Sequence, residues 1–450
     1  MKEKALVLLI EHKFKELRDL IVELCPADAA ALMSEFPKEV LPVIFRLLPK
    51  EMAAETFVEM SSDAQTQLVE AFSDMELKSV MDQLFVDDMV DVLEEMPANV
   101  VRRIVGTCTP ERRRVINEVL NYPDNSAGSI MTIEYIDFTP EMTVEEAFAR
   151  IRKTGLNKET IYTCYVTDDN RHLIGLVTAK DLMLAESSQT VGEIMETNVI
   201  SATTTTDKKE VADMISKYDF LALPIVDSEN RLVGIVTVDD AIDVITEAAE
   251  DEFAKMAAMA PIEKEYFKTS VFTHAKKRIV WLLVLMISAT ITGAIITRYE
   301  NAFAALPILV AFLPMLMDTG GNCGAQSSTM VIRGLAVGEI EPKDFFRVYF
   351  KEIRVGLLIS GVLAVVNTAR ILIQYHNDDR KYLLALVTSL TLMCAVLIAK
   401  SLGCTLPLLA KKLKLDPAIM ASPMLTTICD TCVVMIYFNI AMLIMHVVPA

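Results

Sequence analysis

Histidine is scarce in this chain, five residues in 450, and the eight cysteines are dispersed. Cys25, Cys108 and Cys164 fall in the front part. Cys323, Cys394, Cys404, Cys429 and Cys432 lie in or beside apolar runs, a distribution that argues against a disulfide framework. Cys429 and Cys432 have the spacing of a redox or metal pair, but no second pair or neighbouring histidine accompanies them, so the match is accidental. Without a soft-metal site, oxygen donors remain for any cation the chain handles. No nucleophile–base pair and no phosphate-cradling loop is present either, which argues against an enzyme. The first 25 residues lack the pattern of a cleaved signal peptide, with Glu3, Glu11, Glu16 and Glu23 scattered among lysines.

Positive charge is missing from the front of the chain. Of 43 Lys+Arg and 61 Asp+Glu, residues 275–450 hold 16 and 10, so residues 1–274 hold 27 and 51 and carry a net charge of −24. Nucleic acid is thereby excluded as a partner, because phosphate binding needs a basic footprint. Apolar residues nevertheless make up 52 % of the chain. An acidic front is joined to a weakly basic, apolar back, and the length suggests about three domains.

The back is a membrane domain. Residues 279–296 and 382–399 carry no charge, 302–332 are broken only by Asp318, and 417–450 carry only Asp430 and His446. A hydrocarbon core of ~30 Å needs about 20 apolar helical residues, so these are four spans. A fifth lies between Arg354 and Arg370, extended into the interface by Tyr349, Phe350 and Tyr375. With the N-terminus cytoplasmic, Lys276, Lys277, Arg278, Arg333, Lys343, Arg347, Lys351, Arg354, Lys411, Lys412 and Lys414 fall inside. Only Arg298, Arg370, Arg380 and Lys381 fall outside, so the C-terminus is expected outside.

The front holds two kinds of unit. Residues 27–125 show apolar positions at helical spacing, punctuated about every dozen residues, which predicts short helices stacked as a superhelix. Its acidic cluster, Asp87, Asp88, Asp91, Glu94 and Glu95, reads from this segment alone as a solvated helix face. Residues 126–246 contain an internal repeat. Ile130-Met131-Thr132 recurs as Ile194-Met195-Glu196, and Gly175-Leu176-Val177-Thr178-Ala179-Lys180-Asp181 as Gly234-Ile235-Val236-Thr237-Val238-Asp239-Asp240. Strand, turn, strand, helix, twice over, resembles a tandem CBS-domain pair, a sensor rather than a catalyst. In that family a Thr-x-x-Asp at this place reaches an adenosine ribose, which would make Thr178 with Asp181 and Thr237 with Asp240 nucleotide contacts and ATP an optional ligand. Both pairs fit a helix N-cap equally well.

Residues 243–259 form an acidic, Ala/Met-rich helix leading to the first span. Asp243, Glu247, Glu250 and Asp251 share one helical stripe, and like charges there destabilise the helix unless a cation relieves them. Mg²⁺, which binds through a few carboxylates and keeps much of its water, suits this stripe; a solvated linker helix is the alternative.

Two carboxylates sit at membrane depth, Asp318 and Asp430, where each costs on the order of 2.5–3.5 kcal/mol to insert and marks an ion path. Asp318 opens the small, polar stretch Thr319-Gly320-Gly321-Asn322-Cys323-Gly324-Ala325-Gln326-Ser327-Ser328-Thr329, where a helix interruption lining a cavity is expected; tight helix packing is the alternative for the glycines, though it explains Asn322 and Gln326 poorly. The segment from Pro314 through Asp318, Asn322 and Gln326 to Arg333-Gly334 resembles the second span of the MgtE magnesium transporters. Asp416-Pro417, Pro423, Thr426-Thr427 and Asp430 resemble that family's last span, and Tyr122-Pro123-Asp124-Asn125-Ser126-Ala127-Gly128 one of its junctions.

The resemblance implies a multidomain, α-rich membrane protein. Its parts would be an N-terminal helix (1–26), an acidic helical domain (27–125), a CBS pair (126–246), a connecting helix (247–274) and five spans (275–450). It also implies a homodimer in lipid of the bacterial inner membrane, conducting Mg²⁺ and closed by cytoplasmic Mg²⁺. Pore residues would be Asp430, Asn322, Thr426, Ser422 and Asp318. Regulatory ligands would be Glu55, Asp87, Asp91, Asp207, Asp219, Asp240, Asp243, Glu247, Glu250 and Asp251. The chain departs from the pattern at Ser422, where Asn is common, at Lys209, where an acid is expected, and in 243–251, one residue short. Competing readings are a transporter of another divalent cation, Co²⁺ or Mn²⁺, and a membrane sensor that transports nothing.

Overall fold

Short apolar repeats capped by Ser, Thr and Pro build the front of the molecule. The structure is a computed structural model that describes residues 2–260, 266, 269–297, 307–420 and 422–445. Ten helices, α1 (Lys2–Ile10) through α10 (Pro110–Val119), follow one another with tight turns. Their starts are encoded locally. Ser73 and Glu76 close a capping box, and Thr109 caps α10 with Pro110 at its first position. Each helix buries one face in a single core that includes Leu17, Ile21, Ile44, Phe57, Leu68, Leu77 and Ile104. Residues 1–26, expected as one helix, instead make two, α1 and α2 (Phe14–Val22), and Ala5, Leu8, Leu17 and Ile21 place both in that same core.

The repeat folds as two small sheets. In the first, β1 (Asp137–Phe138) runs parallel to β2 (Thr163–Thr167), which pairs antiparallel with β3 (Leu173–Thr178). In the second, β4 (Ala202–Thr203), β5 (Ala222–Val226) and β6 (Leu232–Thr237) repeat the order. Helices α11 (Val144–Thr154), α12 (Ala179–Leu184), α13 (Val191–Ile194) and α14 (Lys208–Tyr218) pack around them. The recurring motifs interlock across the copies. Thr132 pairs with Ile235 on β6, and Glu196 with Leu176 on β3. A Cβ on Gly175 would meet Met195 Sδ at 2.6 Å, and one on Gly234 would meet Met131 Sδ at 2.8 Å. The repeated Gly and the repeated Ile-Met are therefore two halves of one contact.

The connecting helix does not begin at 247. Helix α15 (Val238–Met256) starts at the end of β6 and runs unbroken through that position, because residues 238–256 contain neither Gly nor Pro. Residues 1–246 and 247–450 form two compact units. In the second, α16 (Val271–Thr297), α17 (Leu313–Ala336), α18 (Phe345–Gln374), α19 (Lys381–Lys412) and α20 (Ser422–Met445) are long and apolar enough to cross a membrane. At one end their core is Leu309, Phe312, Leu316, Tyr437 and Phe438, where the Tyr437 hydroxyl donates to Leu309 O at 2.8 Å.

Candidate functional site

Helix α17 passes through the glycine-rich stretch without interruption, which corrects the expected break. Its glycines serve packing. A Cβ on Gly320 would touch Val433 at 3.0 Å, one on Gly321 would touch Thr426 at 3.0 Å, and one on Gly324 would touch Ala399 O at 3.2 Å. With small residues against α19 and α20, the backbones approach closely, and the third face of α17 is left open. That face carries Asp318, Asn322 and Gln326, four residues apart and all exposed in the protomer. On α20, Thr426 and Asp430 are half-buried, again four residues apart, and Asp318 is the charged neighbour of Asp430. Thr426 and Thr427 donate back to Pro423 O at 2.9 and 3.0 Å, as does Thr431 to Thr427 O at 3.1 Å. Ser422 is the first residue of α20. The pore candidates thus sit on two adjoining helices, and they offer oxygen donors to a hard cation.

A second acidic site lies in the unit 1–246. Helix α8 (Val86–Glu94) presents Asp87, Asp88 and Asp91 toward the start of α15, with Asp239 and Asp240. Asp87 is buried, and burial first, then the charges of Asp240, Asp88 and Glu159, raise its carboxyl well above the usual range. Burial and Asp239 push Asp88 up to about 6. Asp91 is exposed as a residue, yet its carboxyl lies in the crowded cleft. Burial and then Asp240 push it up to about 7. Asp240 rises to about 6, chiefly from burial, although the Thr237 hydroxyl donates to it at 2.7 Å. Such a cluster is a self-repelling cleft that neutralisation would relieve.

Other expected ligands are dispersed. Asp207 caps the start of α14, accepting from Lys209 N at 2.9 Å, and Asp219 caps its end with φ +55°. They stand about 18 Å apart along the helix, too far to share one ion. Glu55 is exposed on α5 (Lys50–Val58); Glu59, one turn on, is the acid that acts on Asp88. Asp243 has its carboxyl raised by burial and by Asp239. Glu247, Glu250 and Asp251 continue along α15. Among the described residues no three carboxylates, histidines or cysteines converge tightly enough to hold a metal ion between them.

The first Thr-x-x-Asp motif is a helix cap: Thr178 and Asp181 close a capping box. In the second, the backbone N–H and hydroxyl of Thr237 both donate to the Asp240 carboxylate. Three further groups escaped the sequence reading. Glu159, pushed up to about 7 by burial and Asp239, and Glu134, which acts on Asp88, join the cleft from a distant part of the chain. Lys400 is buried inside α19 and pairs with Glu352 of α18. Its signal was a lysine standing alone between the terminal lysines of a 32-residue helix, there taken as the end of a span.

Comparison with known proteins agrees with this layout. Residues 24–125 match the MgtE intracellular N domain, 127–188 and 191–247 match CBS domains, and 313–440 match the divalent cation transporter domain MgtE. The chain is 34% identical over 442 residues to "Magnesium transporter MgtE" of Thermus thermophilus, covering 97% of each. It is 32% identical over 443 residues to the protein of that name in Bacillus subtilis, covering 98% of this chain and 97% of the relative. Among solved structures it is similar to the cytosolic domain of the Mg²⁺ channel MgtE in complex with ATP. There the identity is 35%, the TM-score 0.52, and the match covers 54% of this chain and all of that one.

Proposed function

The chain belongs to the MgtE family of magnesium transporters, and we propose that it conducts Mg²⁺ along the open face of α17 and α20 and is closed by Mg²⁺ bound to its acidic cytoplasmic unit. It is a membrane transporter and not an enzyme. The observation that carries the reading is the stripe Asp318, Asn322 and Gln326, polar, at membrane depth and facing away from its own bundle. A charged or amide side chain there is costly in lipid, so the face belongs against water or a second copy. In a homodimer, two such faces and two Asp430 carboxylates would enclose a path whose charge matches one divalent cation. Mg²⁺ gives up its water reluctantly, so the oxygen donors act on a largely hydrated ion. Ser422 would line the same path from the start of α20.

The cleft of Asp87, Asp88, Asp91, Glu159, Asp239 and Asp240 would be the sensor. Without a cation its carboxylates repel one another; a hydrated Mg²⁺ bridging α8 and α15 holds the two segments together. Asp243, Glu247, Glu250 and Asp251 would extend the same acidity along α15. ATP would sit at Thr178 and Asp181 rather than at Thr237 and Asp240, because the second pair lies in the acidic cleft, which repels a triphosphate. The protein would lie in the bacterial inner membrane with its N-terminus inside and its C-terminus outside. Cysteines introduced by Glu300→Cys and Asp379→Cys should react with an impermeant reagent from outside; protection of both would reverse the topology.

A fragment of residues 1–260 tests the sensor. Five carboxyls have folded-state values above their unfolded ones, so the metal-free fold binds more protons than the unfolded chain between about pH 4 and 7. The stability these carboxyls contribute is therefore present at low pH and is lost as pH rises through about 6 to 7. Millimolar Mg²⁺ should restore the lost melting temperature at pH 8 and change it little at pH 5.5. Equal protection by Na⁺ at matched ionic strength would reduce the effect to screening.

A further inference from the structure

The transport reading leaves one buried charged pair of the membrane unit without a task. Lys400 is 4% exposed, and its Nζ lies 3.4 Å from Glu352 Oε2. Ser327 of α17, 1% exposed, donates its hydroxyl to the same Oε2. Three helices therefore meet at one carboxylate oxygen. Lys400 stands about 18 Å along α19 from the helix end near Lys412, and Glu352 lies near the start of α18. Room for the pair is built into the sequence. Gly356, one turn after Glu352, leaves space for the lysine stem, since a Cβ there would lie 3.4 Å from Lys400 Cγ. Gly403 lets α19 cross α17 with backbones touching, for a Cβ on it would collide with Gly324 O and Ser327.

Two physical facts decide what such a pair is for. A buried ion pair stabilises a fold no better than well-packed apolar side chains of the same volume, so stability alone does not explain it. Helices in lipid have no hydrophobic force between them, so close packing and interhelical hydrogen bonds together define how each helix is turned. Directional bonds from Ser327 to Glu352 and from Glu352 to Lys400 supply that definition. Ser327 directly follows Gln326 and lies about one and a half turns beyond Asn322, so fixing it fixes where both amides point.

We propose that the Lys400–Glu352 pair, acting through Ser327, is a positioning device for Mg²⁺ transport, setting the rotation of α17 so that Asn322 and Gln326 face the ion path. The proposal rests on the reading of that stripe as pore lining. It is tested by Mg²⁺ uptake by the full-length protein in cells, normalised to the amount in the membrane, with KM and Vmax separated. Ser327→Ala, the double variant Lys400→Met with Glu352→Met, and the exchange Lys400→Glu with Glu352→Lys are compared. Removing partners that orient metal-facing groups costs about ten- to a hundredfold in apparent affinity. Accordingly, Ser327→Ala and the double apolar variant should raise KM at least about tenfold with Vmax within about twofold, and the exchange should restore much of the loss. A purely structural pair would lower the amount of protein and leave KM alone. Should the double variant fail to insert, Ser327→Ala decides, because it keeps both charges paired. An unchanged KM in Ser327→Ala overturns the proposal. Asp430→Ala serves as the control: if it still transports, the pore reading fails instead, whatever Ser327 does.

Discussion

Asp430→Ala is expected to reduce Mg²⁺ uptake to that of cells lacking the transporter, while insertion and assembly persist. Its carboxylate is half-buried on α20, one turn beyond Thr426 and beside Asp318. An ionised Asp at this depth is retained against an insertion cost of about 2.5–3.5 kcal/mol, which the alanine would relieve. The protein should therefore fold at least as well and transport nothing, since the negative charge that draws a divalent cation out of bulk water is gone. Asp430→Asn separates charge from shape: it keeps an oxygen donor, and it should recover little. Wild-type uptake by Asp430→Ala, measured with a Mg²⁺-sensitive dye in vesicles, would remove Asp430 from the ion path.

The second large effect is expected in the cleft. Asp87→Asn, Asp91→Asn and Asp240→Asn together should leave the transporter open at cytoplasmic Mg²⁺ that closes the wild type, making cells sensitive to external Mg²⁺. Two consequences of neutralisation oppose each other. Repulsion between α8 and α15 vanishes, which favours approach, but so does the bridging of those segments by a cation. Absence of repulsion is not attraction, and the ordering entropy of closure then has nothing to offset it. Loss of bridging therefore wins. The same variant should melt higher than wild type without Mg²⁺ at pH 8, because three carboxyls held above their ordinary values no longer have to ionise. Currents recorded across inside-out patches as Mg²⁺ is raised on the cytoplasmic face give the answer, and closure at the wild-type concentration would show that the cleft does not sense the ion.

Legibility followed sequence distance. The repeat, the five spans and the intramembrane acids could be read because each is a local pattern: a strand–turn–strand unit twice over, apolar runs, and a carboxylate inside one of them. Asp318, Asn322 and Gln326 share a face by spacing alone. Glu159 and Glu134 carry no local mark, and they belong to the cleft because the CBS fold brings them toward Asp88 across more than forty residues of chain. The glycines of α17 were legible as special but left two readings open: a break and a close packing face have the same composition, and only the neighbouring helices decide for packing. Lys400 was visible and undervalued, because a lysine at the edge of an apolar window resembles a boundary until the helix is seen to continue to Lys412.

Sequence alone established what is decided locally: which segments are long and apolar enough to span a membrane, where many helices start, and that the front of the chain is acidic. Composition and period suffice for these, since transfer free energy, capping and charge are properties of a segment. Tertiary structure decided which of many carboxylates meet, which helices the glycines of α17 pack against, and that Lys400, Glu352 and Ser327 form one contact. Those facts depend on the direction of side chains from separate helices and strands. Direction is fixed by packing, and packing is a relation between segments that no single segment contains.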